Sequence, residues 1–194
     1  MNDNSNKVLT TAIEVLSCDG YDHFSMRNIA KKAGVHLATV QHYFPTKKVL
    51  LQETIRKVID EFDCQMDNVL EKKTKSPEER FILVAKLHFS TCIDPYTAGF
   101  FIALWALSVH DPDAKSLLDE TYQLAHQRFC RTITELRGDL PKKIVAQRAS
   151  LILTLFEGAN ITMRSPKILR VSDRSLKKAF VSTALEIANG ELKQ

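Results

Sequence analysis

Apolar residues recur at i, i+3 and i+4 along almost the whole chain, and every proline and most glycines fall between such runs. A stripe with that period keeps to one face of a helix, whereas a strand would need alternation at every second residue. The spacing therefore predicts an all-helical chain of about nine helices. Val8, Leu9, Ala12, Ile13 and Leu16 form the stripe of a first helix, ended by Gly20 as a left-handed residue past its last turn. Ser25 caps a second helix that turns Met26, Ile29, Ala30 and Ala33 inward. Gly34 allows a tight turn into a third, Leu37 to Phe44. Pro45-Thr46 ends that helix and caps a fourth, which runs from Lys47 and decays into the polar stretch Glu71-Lys72-Lys73-Thr74-Lys75.

That polar stretch is the expected boundary between an N-terminal domain, residues 1–50 with helix 47–71 as connector, and a second helical domain, residues 76–194. Ser76-Pro77-Glu78-Glu79 reads as a capping box with proline at the first helical position. Asp94-Pro95 and Asp111-Pro112 mark further starts, for helices of about 14 and 25 residues. Gly138 ends the longer one, Pro141 to Met163 makes another, Ser165-Pro166 breaks it, and a last helix runs from Ser172 to Asn189-Gly190. With 194 residues, the chain can bury a core without staples. The four cysteines lie far apart and read as reduced thiols. No apolar run is long enough for a membrane span and the start lacks a signal-peptide core, so a cytoplasmic protein is expected.

The net charge of +4 decides little, but its placement does. Between Ser25 and Gln52 stand Arg27, Lys31, Lys32, Lys47 and Lys48, with no acid among them. Two short helices joined through Gly34 make a helix-turn-helix, and the second presents His36, Leu37, Thr39, Gln41, His42 and Tyr43 away from Val35, Val40 and Phe44. Thr39 and Tyr43 suit phosphate oxygens, Gln41 suits adenine, and His42 suits a base acceptor or a phosphate. Lys47 and Lys48 sit in the first turn of a helix, where cations oppose the dipole by about 0.3–1 kcal/mol. A DNA phosphate bound at that helix end would reverse the sign.

Gly20-Tyr21, Ser25-Met26-Arg27-Asn28-Ile29-Ala30, Ala33-Gly34-Val35 and His42-Tyr43-Phe44-Pro45-Thr46-Lys47 closely resemble the DNA-binding domain of the TetR family of transcriptional regulators, over residues 7 to 55. The resemblance implies a ligand-responsive regulator, most often a repressor, released from a double-stranded DNA operator by a small effector. It places phosphate contacts at Thr39, Tyr43 and Lys47. Gln41 stands where the family commonly has tyrosine. Leu155-Phe156-Glu157-Gly158 is similar to the segment in which the family's eighth helix meets its dimer mate. Phe100 to Trp105 with Asp111-Pro112 resembles a subgroup that includes regulators of choline and betaine metabolism.

A homodimer is expected, because one helix-turn-helix reads too few base pairs. Ile152, Leu155, Gly158, Ala159, Leu176, Phe180 and Leu185 supply its candidate interface. Candidates for an effector cavity are Phe89, Tyr96, Phe100, Leu104, Trp105, His110, Tyr122, His126 and Phe156, with Trp105 and Tyr122 foremost. The same residues at helical spacing also suit plain core packing. His88/Cys92 and His126/Cys130 carry metal-competent side chains at i, i+4, but chance pairing explains them better, and neither metal nor cofactor is expected. No nucleophile motif, metalloprotease motif or phosphate loop occurs, which argues against an enzyme. The competing reading is a helical architectural or scaffold protein attached to DNA without promoter control.

Overall fold

The computed structural model describes residues 3–71, 76–163 and 173–190. It is all-helical. The α-helices are α1 Asp3–Glu14, α2 Met26–Ala33, α3 Leu37–Tyr43, α4 Lys47–Leu70, α5 Pro77–Ile93, α6 Pro95–Ser108, α7 Pro112–Leu136, α8 Lys142–Thr162 and α9 Asp173–Asn189. The linker lysines, the Ser165-Pro166 break and the Ser172 start lie outside the described residues. No described helix is long and apolar enough to cross a membrane.

Several starts follow from their caps. Ser76 and Glu79 close a capping box, with Glu79 N donating to Ser76 Oγ at 3.2 Å and Ser76 N to Glu79 Oε2 at 3.1 Å. Asp111 Oδ1 accepts from the amides of Asp113 and Ala114 at 2.9 and 3.1 Å, opening α7. The end of the first helix differs from expectation. After Glu14 the chain widens into a π-helical turn, Val15–Asp19, closed by Gly20 N donating to Val15 O at 3.0 Å. Gly20 has φ 83° and ψ 174°, not a left-handed helical cap but an extended conformation of positive φ, open to glycine alone.

Two compact units are present. The first comprises Met1–Asp63 and Pro95–Glu120, the second Cys64–Asp94 and Thr121–Gln194, so α4 and α7 each continue through the division. In the first unit, Leu9, Leu16, Phe24, Ile29, Val40, Phe44 and Leu50 form the core. Helix α6 joins it by packing on the π-helical turn. Gly99 permits that approach: a Cβ there would stand 2.2 Å from the carbonyl oxygen of Ser17. Gly99→Ala is therefore expected to destabilise this unit by about 1–3 kcal/mol or more. Gly138→Ala, whose nearest atom would be 3.7 Å away, should leave the thermal transition nearly unmoved.

The second unit packs α5, α8 and α9 against one another. Phe81, Phe89, Phe129, Ile133, Ala149, Ile152 and Phe156 are buried at its centre. The C-terminal end of α9 is held by two arginines. Buried Arg148 donates to the carbonyls of Ala188, at 2.6 Å, and of Gly190. Arg137 donates to that of Asn189. Cations on these orphan carbonyls also complement the negative end of the helix dipole.

Candidate functional site

The helix-turn-helix is assembled by local signals. Ser25 Oγ accepts from Asn28 N at 3.2 Å to start α2, and Gly34, at φ 64° and ψ 37°, ends it in the left-handed region. Val35 N reaches back to Ala30 O at 3.0 Å, turning the chain into α3. Val40 is buried and Phe44 seals the far end, so the opposite face of α3 turns outward. Gln41, His42 and His36 are exposed, while Leu37, Thr39 and Tyr43 are half-buried. His42 and Tyr43 meet edge to face with ring centroids 5.1 Å apart, which orients both at the end of the helix.

Thr46 then caps α4, its Oγ1 accepting from Val49 N at 3.1 Å. Lys47 Nζ lies 4.1 Å from the centroid of the Tyr21 ring, so a cation–π contact holds the ammonium beside the positive helix end. Lys48 is placed differently from the expected anion site, because its ammonium pairs with Asp113 on α7, 65 positions along the chain and invisible to local reading. Both groups are exposed, and such a pair is weak enough for a phosphate to compete with. Lys32 pairs with Asp19. Arg27 and Lys31 are exposed on α2.

Over residues 8–54 the chain matches the family model described as bacterial regulatory proteins, tetR family. Its helix-turn-helix domain belongs to the TetR family. The regulator BetI of Burkholderia cenocepacia is 26% identical over 135 residues, covering 69% of this chain and 68% of that one. A TetR transcription regulator from Haloarcula marismortui has the same fold, with a TM-score of 0.81, 18% identity and full coverage of both chains. A regulator from Saccharomonospora viridis, solved in complex with choline, superposes with a TM-score of 0.80 at 19% identity over 94% of this chain and 95% of that one. These TetR-family relatives are transcriptional regulators and not enzymes.

The expected effector residues divide between the two units. Tyr96, Phe100, Leu104, Trp105 and His110 belong to the first, and Phe89, Tyr122, His126 and Phe156 to the second. Phe89, Phe100, Leu104 and Phe156 have no exposed surface and serve as core, the use that helical spacing of aromatics most often has. Trp105, by contrast, is 59% exposed. The interface expectation is corrected at Ile152 and Ala159. Both have 0% exposure and point into the second unit. Phe180 packs on Phe89, with centroids 4.9 Å apart, and Leu155, Leu176 and Leu185 are half-buried. The outward stripe of α8 is instead Leu151, Thr154, Gly158 and Ile161, of which Leu151 is 47% and Ile161 70% exposed.

The second unit also holds a polar cluster in which Glu157, absent from the candidate site residues, joins Tyr122 and His88. Tyr122 Oη donates to Glu157 Oε2 at 3.2 Å, and the other carboxylate oxygen lies 3.9 Å from His88 Nε2. Burial raises the pKa of Glu157, opposed by hydrogen bonds from Tyr122 and Asn160. Burial, reinforced by Arg128, lowers His88 to about 4, so its imidazole is neutral at pH 7. The sequence signal was there to read: Glu157 is the single charge between Ala149 and Met163.

Proposed function

We propose that the protein is a ligand-responsive repressor which binds a pseudo-palindromic operator as a homodimer and is released by a small effector. The observation that carries this reading is the outer face of α3. It offers Gln41, His42 and His36 to solvent, next to a Thr46-capped helix end where Lys47 is held against Tyr21. Its hydrogen-bonding side chains suit base edges, and the capped end with its cation suits the neighbouring phosphate. We place the protein in the cytoplasm, where bacterial DNA is.

The test is binding-site selection from random DNA followed by titration of two variants. Lys47→Ala should weaken all sequences about equally and lower the salt slope by about one unit. Gln41→Ala should instead relax preference at one base pair, at a cost of about 1–3 kcal/mol. Equal losses for Gln41→Ala on operator and random DNA would show that Gln41 touches phosphate only.

Dimerisation is supported by α8, whose outward stripe leaves two large apolar side chains in water. A Cβ at Gly158 would meet nothing within 4 Å in its own chain, so crowding inside the protomer does not explain a residue that costs a helix about 1 kcal/mol. Close approach of a second α8 does. For the effector we propose a small, at least partly apolar molecule bound by the scaffold beyond the helix-turn-helix. The choline complex of the Saccharomonospora viridis regulator, similar in fold, supports a ligand of that size. Helix α4 carries the signal. From Lys47 to Leu70 it is a continuous rod of roughly 35 Å, at 1.5 Å per residue, so a small tilt changes the separation of the dimer's recognition helices. Linkage requires that operator DNA weaken effector binding by the same factor as effector weakens DNA binding, with a coupling of about 1–3 kcal/mol. Equal effector affinity with and without operator, read by calorimetry, would overturn the mechanism.

A further inference from the structure

The two His-x-x-x-Cys pairs have different fates in the fold. His126 and Cys130 stay a pair: Sγ is 3.6 Å from His126 Nδ1, and Nε2 faces the Ala146 carbonyl at 3.1 Å and Ser150 Oγ at 3.2 Å. The first pair acquires a third member. His88 and Cys92 lie one turn apart on α5, on the side that packs against α8, and there Glu157 brings a carboxylate to them. One ligand atom from each of His88, Cys92 and Glu157 lies within 4.8 Å of the other two. We propose that these three side chains bind a divalent ion of the zinc class inside the second unit, a site separate from the DNA-reading face.

The donor set is one thiolate, one imidazole and one carboxylate, the mixture a borderline-soft tetrahedral ion takes. Bonds of about 2.0–2.3 Å to such an ion hold its ligand atoms about 3.3–3.7 Å apart. The side chains need close by only about an ångström from the present spacing. Charge also balances. Cys92 gives its thiol proton to solvent as the sulfur–metal bond forms, and thiolate plus carboxylate neutralise the dication beside a neutral imidazole. The carboxylate is already oriented for this, since Tyr122 holds Oε2 and leaves Oε1 toward His88. Such an outer hydrogen bond is what fixes a ligating carboxylate. The His88 ring is clasped by Phe129 and Phe156, with centroids 5.5 and 5.3 Å away, which keeps the imidazole in place. Glu157 retains 32% side-chain exposure, giving the ion a way in from solvent and the fourth coordination position to water.

The test uses full-length, tag-free, reduced and chelator-treated protein titrated with cobalt(II) in the absence of oxygen. One equivalent should produce a thiolate-to-cobalt charge-transfer band with the visible spectrum of a four-coordinate ion, and zinc(II) should bleach both. The triple variant Cys18→Ser, Cys64→Ser, Cys130→Ser should keep the full band, and Cys92→Ser should lose it. Tyr122→Phe should bind zinc(II) about 10–100-fold more weakly while retaining the band at saturation. Absence of the band in the unaltered protein, its loss in the triple variant, or its persistence in Cys92→Ser would each overturn the proposal. The first two readings stand even if Cys92→Ser does not fold.

Discussion

With Leu151 and Ile161 both changed to aspartate, the protein should sediment as a monomer and bind a full operator about 10²–10⁴-fold more weakly, with unchanged affinity for an isolated half-site. The two positions are 47% and 70% exposed, so the protomer gains only solvated charges and its own melting curve should not move. In a two-fold dimer each surface patch meets its own copy, and four carboxylates would then converge on one apolar seam. Unpaired charge in such a seam is costly, and like charges facing each other add to the cost. Loss of the tether removes the effective concentration that makes the second half-site an intramolecular event, which sets the size of the effect. Persistence of the dimer in analytical ultracentrifugation would move the interface away from α8.

Why this face was only partly legible in the sequence is a question of rotation about the helix. Leu155 to Gly158 pointed to α8, the helix proposed here, yet periodicity alone leaves the apolar positions of α8 divided between two faces. Ile152 and Ala159 went to the protomer's core, while Leu151 and Ile161 went outward. The helix-turn-helix was far more readable because each of its determinants acts within a few residues: Ser25 on Asn28, Gly34 and Val35 on Ala30 and Lys31, Thr46 on Val49. What local reasoning missed is long in sequence. The Lys48–Asp113 pair, the packing of Gly99 on Ser17 and the meeting of His88 with Glu157 each join elements that only the tertiary fold brings together. The same holds for the aromatic residues. Their spacing announced a helix with a buried stripe, but not whether that stripe would line a cavity or fill a core, and Phe89 and Phe156 fill one.

Phe156→Ala should cost the second unit about 3–5 kcal/mol, the largest loss of stability expected from a single side chain here. The ring has no exposure and sits among four others, its centroid 5.3 Å from His88, 5.9 Å from Phe129 and 6.3 Å from both Phe89 and Phe180. Removing it deletes the transfer free energy of the whole ring and leaves a cavity. The surrounding rings come from α5, α7 and α9, and three separately anchored helices cannot all move in to fill it. Phe156→Leu returns most of the lost volume and should recover more than half of the deficit. Far-ultraviolet circular dichroism through a urea titration gives the comparison. The single tryptophan, Trp105, lies in the first unit, so its fluorescence follows that unit separately. The dichroism transition of Phe156→Ala should shift to lower urea. A loss below about 1 kcal/mol would mean that the aromatic cluster repacks around the missing ring, and that α5, α7, α8 and α9 are not held in register by it.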